Sequence, residues 1–67
     1  MNTYRMILET ESDRFDSLAW NTTEENARRF FAKSASVQAS GVCASRVVLV
    51  DAEGTELASW TPRHGLA

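Results

Sequence analysis

The sequence predicts an α+β domain in which one helix packs on a four-stranded antiparallel sheet, in the chain order β-β-α-β-β. Three stretches predict it. Tyr4, Met6 and Leu8 alternate with the more polar Arg5 and Glu9, the period-two signature of a half-buried strand. Thr22-Thr23-Glu24-Glu25 is a capping box, and the apolar residues after it recur at helical spacing. Asp51-Ala52-Glu53-Gly54 separates two apolar runs as a hairpin turn.

The first strand lies within "TYRMILETE", with its core face at the even positions and Ile7 as an apolar residue on the opposite face. "ESDRFD" turns the chain, and "FDSLAWNT" forms a second short strand with Leu18 and Trp20 on one face. Phe15 closes the end of this hairpin.

In the helix, Thr22 is placed to accept from the N–H of Glu25, whose carboxylate reaches back to Thr22. Ala27, Phe30, Phe31, Ser34, Ala35 and Gln38 make one stripe toward the core. Glu24 with Arg28 and Glu25 with Arg29 are i,i+4 pairs on the outer face, each worth about 0.3 kcal/mol. Gly41 stands where a left-handed residue would end the helix.

The final hairpin raises a problem. Val47, Val48, Leu49 and Val50 run together without alternation, so both faces of that strand are apolar. The turn register pairs Leu49 with Leu57, Val48 with Ala58 and Arg46 with Trp60. Val47, Leu49 and Leu57 then face the helix. Val48, Val50, Ala58 and Trp60 share the other face, extended by Ile7, with Arg46 over the Trp60 ring. An apolar face of this kind on so small a protein is expected to be an interface, the alternative being that the C-terminal tail or the loop before Cys43 folds over it. Pro62 breaks the last strand, and residues 62–67 are expected to fray.

The expected sheet order is 2-1-3-4, the helix carrying the chain from the second strand across the first. The expected core is Tyr4, Met6, Leu8, Leu18, Trp20, Ala27, Phe30, Phe31, Val47, Leu49 and Leu57.

At 67 residues the chain is a single domain near the lower size limit for folding without staples. At that size apolar burial is nearly offset by about 1.5 kcal/mol of conformational entropy per ordered residue, which makes association a natural source of stability. One cysteine excludes an internal disulfide. With no basic-then-apolar leader and no long apolar run, the protein is expected in the cytosol, away from membranes.

Nine acidic against seven basic residues give a net charge of −2. Nucleic-acid binders need a basic field to neutralise phosphates, so direct nucleic-acid binding is not expected. The acids cluster, first at Glu9, Glu11, Asp13 and Asp16. They either solubilise the protein or meet a basic protein partner.

Chemistry is sparse. Cys43 and His64 could in principle form a nucleophile–base pair, but Cys43 reads better as a small buried hydrophobe and His64 as a solvated side chain. One Cys and one His cannot supply a zinc shell. The three glycines, at 41, 54 and 65, make no phosphate-binding loop. Neither catalysis nor a cofactor is expected.

The order strand, strand, capped helix, Gly, strand, Asp-x-x-Gly turn and strand ending in Trp resembles compact phage-borne anti-CRISPR proteins. The matching residues are Thr22 to Ala32, Gly41, Val47 to Val50, Asp51-Ala52-Glu53-Gly54 and Trp60. The resemblance is architectural and carries no functional residue across. It implies a non-catalytic inhibitor that occludes a DNA-contacting surface of a CRISPR effector. The acidic charge then implies DNA mimicry, with Glu9, Glu11, Asp13 and Asp16 as contact residues. The rival expectation is a homodimeric phage or bacterial accessory domain whose interface is the apolar sheet face. A third, a β-sheet DNA-binding module of the kind that ends phage integrases, would need a basic sheet face.

Overall fold

The computed structural model describes residues 2–66. Strands β1 (Asn2–Glu9) and β2 (Arg14–Thr22) are followed by helix α1 (Glu24–Val42), then β3 (Arg46–Val50), β4 (Glu56–Thr61) and β5 (Gly65–Leu66). All neighbouring strands pair antiparallel, in the order β2-β1-β3-β4-β5. The α+β class and the 2-1-3-4 order are those expected, with a fifth strand added at one edge. That strand is built from the segment expected to fray. Pro62, Arg63 and His64 form a turn in which the His64 N–H donates to Thr61 Oγ1 at 3.2 Å, and Gly65 takes a positive φ of 72°. Gly65 and Leu66 then pair with Thr61 and Trp60, while Ala67 lies outside the described residues.

The helix is shifted against expectation at both ends. Its N-cap is Thr23, whose side chain accepts from the Asn26 N–H at 3.2 Å. Thr22, the expected cap, is instead the last residue of β2, buried opposite Asn2. Glu25 therefore has no Thr22 to reach back to, and pairs with Arg29. At the far end α1 runs through Gly41, and Cys43 is the residue with left-handed geometry (φ 54°, ψ 45°). The N–H groups of Cys43 and Ala44 both donate to the Ala39 carbonyl, and Ala44 tucks into the core. This position also leaves Cys43 exposed, not buried as expected.

The helix buries a narrow stripe of Ala27, Phe31, Ala35 and Ala39. Three alanines let the helix lie close on the sheet, and Phe31 fills the centre at 1% exposure. Phe30, expected in the core, is 41% exposed and meets Trp20 edge-on with ring centroids 5.5 Å apart. One residue of helix rotation, about 100°, carries it off the buried stripe. Tyr4, Met6, Leu8, Val47 and Leu49 complete the principal core, with Leu18, Trp20, Leu57, Ala58 and Trp60 packed against its rim. Arg28 ties the helix to β4 by donating to the Leu57 carbonyl at 3.0 Å.

The β3–β4 turn has the expected form. Asp51 Oδ1 accepts from the N–H groups of Glu53 and Thr55, and Gly54 has a φ of 86°. Past the turn the register departs from the expected one. Val50 pairs with Glu56 but Leu49 with Ala58, so Leu57 is an extra residue in β4, a β-bulge. One inserted residue reverses every side chain beyond it. Ala58 and Trp60 therefore turn to the helix side, opposite Leu49 and Val47, and Ser59 takes the place beside Val48. Arg46 does not stack on Trp60, because the two lie on opposite faces. A second bulge, at Ser17, interrupts β1 against β2.

Candidate functional site

The sheet face away from the helix carries Ile7, Val48 and Val50 as a small cluster of its own. All three are buried within the chain, at 6%, 1% and 2% exposure. Of the six residues expected to share this face, these three and Arg46 do, and Ala58 and Trp60 do not.

The cover over the cluster is ionic. Glu9 lies opposite Arg14 on one side and Arg46 on the other, and its carboxylate meets each at 3.3 Å. Arg46 also meets Glu56 at 2.5 Å, and Arg5 meets Asp16 at 3.4 Å. Glu56 pairs with Val50, four residues along from Arg46. At about 3.3 Å per residue, the Arg46 and Glu56 backbones stand well over 10 Å apart. Their side chains close that gap only by extending toward each other along the strand, which lays apolar stems over Val48. The hydrogen bond that Arg46 donates to Glu56 is the strongest influence on Arg46 and raises its pKa; burial acts against it, and Glu9 adds to it.

This lattice separates the four acids expected at a partner interface. Glu9 and Asp16 are tied to arginines. Glu11 and Asp13 sit on the β1–β2 loop, exposed, with no ion pair among the described residues. The loop is held by its own backbone: the Thr10 N–H donates to the Asp13 carbonyl at 2.8 Å, and the Asp13 N–H to Thr10 Oγ1 at 3.0 Å. Across from it the end of α1 is pinned by Ser45, whose N–H and hydroxyl both donate to the Glu9 carbonyl. Between the two runs a groove of about 580 Å³, whose walls include Glu11, Asp13, Phe15, Val42 and Cys43. The groove is shallow and open to solvent, the shape of a docking surface and not of an enclosed ligand pocket.

Phe15 and Val42 are large apolar side chains left 40% and 41% exposed at this groove. Sequence reasoning placed Phe15 at the hairpin end without a binding role and passed over Val42. Reading Gly41 as the helix stop hid Val42, which belongs to the last helical turn. That turn carries no basic residue, so the negative end of the helix dipole adds to Glu11 and Asp13.

Among the described residues no group of three His, Cys, Asp or Glu side chains is placed to hold a metal ion. Among the described residues no helix is long and apolar enough to cross a membrane. No hydrogen bond joins Cys43 to His64 among the described residues; Cys43 caps the helix and His64 lies on the β4–β5 turn. No protein family, curated protein or solved structure matches the chain.

Proposed function

We propose that the protein is a non-catalytic protein-binding inhibitor that docks through the pole formed by the β1–β2 loop and the end of α1. Its target, on the resemblance to compact anti-CRISPR proteins, is a basic DNA-contacting surface of a CRISPR effector. One observation carries the choice of surface. Glu9 and Asp16 are engaged by the protein's own arginines, whereas Glu11 and Asp13 have no cationic partner among the described residues. Carboxylates already held in ion pairs offer little to a partner, and unpaired ones steer a basic partner and fix its orientation.

The reading is tested in bacteria whose CRISPR immunity blocks a phage, and with the purified effectors. Expression of the protein restores plaquing, and the purified protein lowers the effector's occupancy of target DNA in a gel shift. Failure of both across effectors that act as single proteins and as multisubunit complexes overturns the anti-CRISPR assignment.

A further inference from the structure

We propose that the groove between the β1–β2 loop and the end of α1 receives a short basic segment of a partner protein, one that sets an aliphatic side chain beside an arginine or lysine. The inference rests on the protein-binding reading above and adds the chemistry of the bound segment. Charge complementarity defines the basic half. Glu11 and Asp13 stand on one wall, the negative end of α1 on the other, and no lysine or arginine lines the groove. The basic residue adjoining the loop, Arg14, is turned to Glu9. A guanidinium or ammonium entering here gains two carboxylates and displaces no resident cation.

The exposed apolar pair defines the other half. Phe15 and Val42 face the same groove as the two acids. A purely polar cation would leave both wet, and a purely apolar segment would leave the carboxylates without a partner. A segment with one residue of each kind satisfies both. The walls are also set in advance, by Thr10 bonding Asp13 on one side and Ser45 bonding Glu9 on the other. Little order has to be imposed on binding. The acid-rich turn at the other end of the sheet differs: Asp51 there is occupied with the N–H groups of its own turn, and the exposed Glu53 has no exposed large apolar side chain in the groove beside it.

The test uses a fluorescein-labelled peptide of repeated Gly-Arg-Leu-Ser units, read by anisotropy against the 67-residue chain. Glu11→Gln with Asp13→Asn weakens binding about tenfold, Val42→Ser weakens it severalfold, and Glu53→Gln at the opposite end leaves it unchanged. Circular dichroism confirms that each variant stays folded, which the exposure of all four side chains favours. The proposal is overturned if the peptide with Glu in place of Arg binds as well, or if the loop variant binds like the parent. It is also overturned if light scattering shows a dimer that Val42→Ser converts to monomer, since a second copy would then occupy the groove. Peptide binding with neither rescue of plaquing nor loss of effector occupancy on DNA would instead leave the groove standing and remove the anti-CRISPR reading.

Discussion

Two adjacent phenylalanines show how sharply position decides a residue's worth. Phe31 is buried to 1% at the centre of the core, and Phe30 is 41% exposed at its edge. Truncating Phe31 to Ala costs about 3–5 kcal/mol, most of what a domain of this size has. Truncating Phe30 removes an edge-on contact with Trp20 worth about 0.5–1.5 kcal/mol and only part of a buried ring's apolar burial, so it costs less than truncating Phe31. Denaturant melts followed by circular dichroism check this: Phe31→Ala is unfolded or nearly so, Phe30→Ala melts cooperatively, and equal losses would refute the assignment. Gly41 offers the opposite case. It lies inside α1 without a positive φ, and a Cβ built on it meets nothing within 4 Å. Gly41→Ala therefore stabilises the protein by about 0.5–1 kcal/mol, through helix propensity and a less disordered unfolded chain. Were Gly41 the left-handed stop, the same change would destabilise it, so the sign of the shift in melting temperature decides.

At the scale of elements, what the sequence made legible was what local chemistry encodes. The helix and the Asp51–Gly54 turn follow from periodicity and turn residues that act within a few positions of one another, and the strand order from the handedness of the crossover. The bulges at Ser17 and Leu57 were not legible, because an extra residue of ordinary type in a strand leaves no mark when it needs no glycine. The insertion at Leu57 moved Ala58 and Trp60 off the predicted apolar face, and with them much of the case for a dimer interface there. Pro62 reads as a breaker, yet with Gly65 at positive φ it shapes the turn that brings β5 back onto β4. The second face then has a different meaning: Val48 is interior, roofed by ion pairs. On an interface, Val48→Glu would give a soluble monomer with its helix intact. Buried among Ile7 and Val50, the unpaired carboxylate costs about 3–5 kcal/mol and unfolds the chain. Circular dichroism with gel filtration separates these outcomes, and a folded Val48→Glu monomer would refute the interior placement.

Apart from the ion pairs along α1 and the acids of the β3–β4 turn, the charge among the described residues is divided between a lattice that roofs the sheet and a groove whose walls hold no cation. Arg46, whose pKa is raised chiefly by Glu56, stays protonated across ordinary buffers. A folded-state pKa above the unfolded value means its contribution is complete at lower pH and lost only as the pH climbs through that raised value. The last prediction uses two pairs of substitutions that change the net charge equally, from −2 to 0: Glu9→Gln with Asp16→Asn, and Glu11→Gln with Asp13→Asn. Long-range steering follows the summed field, so at low salt both slow association with the basic peptide to a similar degree. Beyond roughly 8 Å that field is screened at physiological ionic strength, and only charges in contact still matter. Glu11 and Asp13 touch the bound cation, so their loss also speeds dissociation. Glu9 and Asp16 hold the lattice, so theirs lowers the unfolding midpoint, modestly, because exposed pairs are worth about 0–1 kcal/mol each. Stopped-flow traces at two salt concentrations, beside a denaturant melt, read all three quantities. If the Glu9 and Asp16 pair instead speeds dissociation as much as the loop pair while the protein stays fully folded, the partner binds the ionic roof, and the division of charge proposed for this molecule is wrong.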